Sequence, residues 1–175
     1  IENTLYAREL ISFVVDLWSK QSIACIDEVD EWLHGLCVKT EPLFKLDFVN
    51  YKYKLEIDTG AGHCQKFMKG RSSDEIDLNV LNEHIASIGK RHGANCLGRD
   101  SSEIAGIPIL LIMRGHFLQS AVLRFVNRKI KSLGRKANVS TDSLYAHAIH
   151  FFQAGFLWER EEGAYYSKQV LQVSH

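Results

Sequence analysis

The sequence predicts an α+β fold, and three features of it carry that prediction. Two N-terminal stretches repeat apolar residues at helical spacing. Residues 44–58 alternate apolar and polar residues but reverse parity midway, as the two arms of a hairpin do. The C-terminal third reads as helix, polar loop, helix, strand, turn, strand. At 175 residues, 46% hydrophobic and 24% charged, the chain suits one domain of two lobes, 1–113 and 114–175.

In the first lobe, Tyr6, Leu10, Phe13/Val14 and Leu17 mark a helix over 3–20. A second helix starts at Asp27, turns Val29 and Leu33 inward and ends near Gly35, completing an N-terminal helical pair. One long strand with a bulge is one reading of residues 44–58; in the other, a two-residue turn at Val49-Asn50 pairs Phe48 with Tyr51, Leu46 with Tyr53 and Phe44 with Leu55. All their apolar side chains then share one face of a small antiparallel sheet. Ser72 with Glu75 reads as a capping box. It opens a helix that crosses the sheet, carries Leu78, Leu81, Ile85 and Ile88 on one stripe, and stops by Gly93. The apolar run 107–113 reads as a buried strand because it is short and holds Pro108.

In the second lobe, residues 116–133 form a long helix that ends at Gly134. Ser140-Thr141-Asp142 caps a second helix from Ser143 to about Gln153, and Gly155 ends it. Phe156-Leu157-Trp158-Glu159-Arg160, Glu161-Glu162-Gly163 and Ala164-Tyr165-Tyr166-Ser167-Lys168 read as strand, turn and strand. This order resembles a winged helix-turn-helix, at the level of fold and over the last third of the chain only. The resemblance implies a second helix in the major groove and a wing on the backbone. Here that helix offers Ser143, Tyr145, His147 and His150 without lysine or arginine, and the wing turn is net acidic.

Charge points to a different face. The chain is neutral overall, but residues 1–36 carry Glu2, Glu9, Asp16, Asp27, Glu28, Asp30 and Glu31 against Arg8 and Lys20. Between Ile104 and Thr141 there is no acid, and Arg114, Arg124, Arg128, Lys129, Lys131, Arg135 and Lys136 all fall there. On the long helix, Leu118, Val122, Val126, Ile130 and Leu133 share one side. Arg124, Arg128, Lys131 and, by extension, Arg135 share the other. Cations aligned without acids displace counterions from phosphates. Arg124, Arg128, Lys131, Arg135, Lys136 and, at the wing edge, Lys168 are therefore the expected nucleic-acid contacts. The bland alternative is a solvated basic face that pairs with the acidic N-terminal helices.

Other chemistry is thinner. Asp58-Thr59-Gly60-Ala61 matches the active-site tetrapeptide of retropepsin-like aspartic proteases, and Leu97-Gly98-Arg99-Asp100 resembles a later motif of some of them. A capped helix between the two is not the flap and strands which that family requires, so the tetrapeptide reads as a turn. His63-Cys64, His84, His92 and Cys96 lack the paired spacing of a zinc site. Neither metal nor cofactor is expected. His63-Cys64 also fits a thiol with a histidine base, and Lys69 and Arg71 precede a helix N-terminus.

Three function classes follow. The first is a non-catalytic nucleic-acid-binding domain, DNA before RNA, of a larger replication, recombination, mobile-element or regulatory protein. The second is a protein-interaction or homo-oligomerisation module using Trp158, Tyr165 and Tyr166. The third is a hydrolase around Asp58 or Cys64. Starting at Ile1 without a methionine, the chain reads as a fragment of a longer protein. The run 107–113 is too short to span a bilayer, and four cysteines without a C-x-x-C pair read as free thiols of an intracellular protein, cytoplasmic or nuclear.

Overall fold

The structure, a computed structural model, describes residues 6–23, 25–93 and 106–153. Those residues fold as helices: α1 (Arg8–Ser19), α2 (Ile26–Tyr53), α3 (Leu78–His92), the single turn α4 (Ile109–Ile112), α5 (Gly115–Ser132) and α6 (Thr141–Gln153), with a 3-10 turn at Cys64–Phe67. Among them there is no strand, only an isolated bridge between Met68 and Ile76. The α+β expectation is thereby corrected to an all-helical fold.

The largest correction concerns residues 44–58. The expected sheet is instead the second half of α2, which continues past Gly35 and Pro42. Its buried positions are Val29, Leu33, Leu36, Thr40, Leu43, Phe44, Leu46, Asp47 and Val49. They step by three and four residues, which is helical spacing. Polar residues on this stripe keep their partners. The Thr40 hydroxyl donates to the Leu36 carbonyl at 2.7 Å, and Asp47 accepts from Arg114. The expected hairpin turn at Asn50 lies in the last helical turn. Its amide donates to the Ile57 carbonyl at 2.8 Å and accepts from the Ile57 N–H at 2.9 Å. The chain thus folds back beside α2 without a second strand.

The apolar run 107–113 is a loop and the one-turn α4 rather than a buried strand, and none of its four helical residues is fully buried. Nor is a wing sheet seen: the described residues are helical and strand-free, which overturns the winged-helix resemblance. Residues 156–168, expected to form the wing, lie outside the described residues. Ser72 does not cap α3 either. Asp77 does, its carboxylate accepting from the Asn79 and Val80 N–H groups. The helix ends at Gly93 as its periodicity predicts.

The core is organised around α5. Phe117, Leu118, Ala121, Val122, Phe125, Val126 and Ile130 are all buried, a face two rows wide. Phe44 meets Phe117 edge-on with ring centres 5.0 Å apart, and Trp32 meets Phe125 at 4.6 Å. Falling numbers on α2 thus meet rising numbers on α5, so the two helices run antiparallel. Aromatic pairs of this kind add about 0.5–1.5 kcal/mol beyond their buried area. From α1, Leu10, Ile11, Val14 and Val15 enter the same core, while Phe13 and Leu17 stay largely exposed. Leu144 and Ala148 of α6 complete it. The loop before α6 is pinned by Asn127, whose amide donates to the Val139 carbonyl and accepts from its N–H at 3.0 and 2.7 Å.

Candidate nucleic-acid interface

Burying one face of α5 aims its other face at the loop 63–72, and a cleft of about 470 Å³ opens between them. From the loop side it is lined by His63, Cys64, Gln65, Arg71 and Ser72. Helix α5 contributes Ser120, Leu123, Arg124, Asn127, Arg128 and Lys131, and Asn138 closes one end. Four of these side chains are permanent cations and none is a carboxylate. Arg124, Arg128 and Lys131, the expected contacts, therefore do share one site. Arg71 joins them from the loop, and its place in the cleft was not legible from α5 alone. The only hint is its position in Lys69-Gly70-Arg71-Ser72, a basic loop with no acid before Asp74.

Two of the three α5 cations are already engaged. One terminal nitrogen of Arg124 donates to the carbonyls of Gly70, Arg71 and Ser73 at 3.3, 2.6 and 3.1 Å. This guanidinium ties the loop to the helix and so shapes the cleft. Arg128 pairs with the buried Asp74 carboxylate at 2.5 Å, with its guanidinium 5.7 Å from the Phe125 ring centre. Asp74 is itself positioned by a bond from the Trp32 indole to its carbonyl. Arg71 and Lys131 have no ion-pair partner among the described residues. Both are exposed.

The other expected contacts lie elsewhere. Arg135 donates to the Ser19 carbonyl at 2.7 Å, capping the end of α1, where cations also oppose the helix dipole. Lys136 is exposed with no ion-pair partner among the described residues. Lys168 lies outside the described residues, as do Trp158, Tyr165 and Tyr166. Lys129, a cation of the same helix, pairs with Glu28, so acidic α2 neutralises part of the basic segment within the chain. On α6, His147 accepts from the Trp18 indole at 3.3 Å and lies against Phe13. One side of the expected recognition helix is thus spent on packing against α1.

The hydrolase residues sit in structural settings. Asp58 is exposed, and its carboxylate accepts from the Gly60 N–H at 3.0 Å, a local Asx turn with Gly60 at φ +68°. The Thr59 hydroxyl points away to Asp47 at 2.5 Å, while the Thr59 carbonyl lies 2.9 Å from His84 Nε2. Residues 97–100 lie outside the described residues. Cys64 is buried, and burial pushes its thiol up, opposed by the nearby Arg124 and Ser120. That direction works against the thiolate a nucleophile needs. Among the described residues, no three His, Cys, Asp or Glu side chains converge as metal ligands. None of the helices there is long and apolar enough to cross a membrane.

No protein-family profile matches the chain, and neither curated proteins nor solved structures give a match.

Proposed function

We propose that the chain is a non-catalytic nucleic-acid-binding domain of a larger intracellular protein of replication, recombination, mobile elements or regulation, with DNA the first ligand to test. One observation carries the reading: the cleft between α5 and the loop 63–72 gathers Arg71, Arg124, Arg128 and Lys131 with no carboxylate among the described residues that line it. Arg124 and Arg128 hold the walls, and their charge still contributes to the local potential. Arg71 and Lys131 make the direct phosphate contacts. Ser72, Ser120, Asn127 and Asn138 add neutral donors of the kind that fix register on a sugar-phosphate backbone. The free thiols Cys25, Cys37 and Cys64 suit an intracellular setting.

Fluorescence anisotropy with labelled duplex DNA, single-stranded DNA and RNA across a salt series tests this. Affinity for the bound form should fall linearly on a log–log plot, by about 0.9 per phosphate contact for a duplex. Arg71→Glu with Lys131→Glu should abolish binding while circular dichroism and the unfolding midpoint stay put, because neither side chain holds the fold together. Absence of binding at low salt, or binding that ignores the double reversal, refutes the proposal.

A further inference from the structure

A second groove, of about 880 Å³, lies along the outer face of α2 beside α4. Leu33, Cys37 and Val38 of α2 and Ile109 and Leu110 of α4 give it an apolar floor. Asp27, Glu28, Asp30, Glu31 and Glu41 form its rim, and among the described residues no lysine or arginine lines it. Residues 27, 31, 34, 38 and 41 step by four, three, four and three. They follow one face of α2 for about 21 Å at 1.5 Å per residue, close to four helical turns. Three rim acids have partners within the chain: Glu28 with Lys129, Asp30 with Arg8, and Glu41 with Lys45. Asp27 and Glu31 have no ion-pair partner among the described residues.

The apolar part is incompletely covered. Val38 is 56% exposed, and all four residues of α4 are only half-buried. An apolar strip rimmed by acids is what an amphipathic helix with a basic outer face complements, by apolar anchors at i, i+3, i+4 and i+7 and cations at the edges. The groove's length suits such a helix, and its charge disfavours an acidic or phosphorylated segment.

We propose that this groove docks a basic amphipathic helix of a partner protein, apolar side toward Val38, Ile109 and Leu110 and cations toward Asp27 and Glu31. The probe is a labelled leucine–lysine peptide of about fourteen residues with its leucines on one helical face. A scrambled peptide of the same composition is the control. Anisotropy should show saturable binding of the patterned peptide at least tenfold tighter than the scrambled one. Val38→Glu and the double reversal Asp27→Lys/Glu31→Lys should each weaken it tenfold or more. Lys131→Glu, in the basic cleft and not in the lining of this groove, should leave it unchanged, so this result stands apart from the nucleic-acid test. Equal binding of both peptides would reduce the site to bulk charge attraction and overturn the proposal, as would no binding. Self-association in sedimentation velocity that Val38→Glu abolishes would assign the groove to a second copy instead.

Discussion

Breaking the Asp47–Arg114 pair should cost stability from either side, and the two losses should not add. Asp47 is 5% exposed and accepts from Arg114 at 2.6 Å (Nε to Oδ2) and 2.9 Å (Nη2 to Oδ1). It also accepts from the Thr59 hydroxyl at 2.5 Å. Three parts of the chain therefore meet on one carboxylate: the second half of α2, the loop after it, and the N-cap of α5. The bond to Asp47 also raises the Arg114 pKa, opposed by partial burial, so the pair stays charged on the arginine side at any accessible pH. Stranding a fully buried carboxylate costs about 3–5 kcal/mol. The Arg114 side chain is 51% exposed, so water already screens the pair and roughly half that figure applies, about 1.5–2.5 kcal/mol for Arg114→Ala. Asp47→Ala leaves Arg114 free to turn to water but strands the Thr59 hydroxyl, for about 1–2 kcal/mol. The double variant should lose little more than the worse single one, a coupling of about 1 kcal/mol. Urea unfolding followed by tryptophan fluorescence measures all three, with an unchanged m-value as the check on two-state comparison. Single losses that sum to within about 0.3 kcal/mol of the double would show that the pair is a surface contact without energetic coupling.

Two further predictions follow from local geometry. Pro42 sits inside α2 and is exposed, so Pro42→Ala restores an N–H for the Val38 carbonyl and forfeits no packing. It should raise stability by about 1–3 kcal/mol, and a lower urea midpoint would show that the helix depends on a bend there. Cys37 is half-buried in the floor of the acidic groove, and burial pushes its thiol up to about 11, against an opposing backbone hydrogen bond from Leu110. A folded-state value above the unfolded one means the native state keeps a proton that the unfolded chain has released. Its contribution is then intact below the unfolded thiol range near 8.5 and lost as pH rises through about 11. The stability of the wild type should therefore fall more steeply above about pH 9 than that of Cys37→Ala, and parallel curves would contradict this.

Several local signals read straight from residue types held up, although the Ser72–Glu75 capping box did not. The periodicity of Tyr6, Leu10 and Val14 placed α1, Leu118 to Ile130 placed α5, the run Ser140-Thr141-Asp142 placed the start of α6 two residues late, at Ser143, and Gly93 placed the end of α3. The clustering of Arg124, Arg128 and Lys131 on one side of α5 was equally local, since 3.6 residues per turn decides it. Tertiary contacts decided what local signals could not. Residues 44–58 alternate like a strand, yet they continue a helical stripe whose core positions include Thr40 and Asp47. Those polar residues look misplaced until the Leu36 carbonyl, Arg114 and Thr59 are seen to satisfy them. Gly35 and Pro42 look like helix breakers, but packing of Leu36, Leu43 and Phe44 on the core outweighs a cost of a few kcal/mol. Charge shows the same division. Position along the chain marks a residue as cationic, but only the folded arrangement decides whether a cation is spent on a carbonyl, as with Arg124 and Arg135, on a buried acid, as with Arg128, or left to solvent, as with Arg71 and Lys131. Hydrogen bonds and ion pairs act over a few ångströms, and Arg71 and Ser19, partners of Arg124 and Arg135, lie 53 and 116 positions away in the chain.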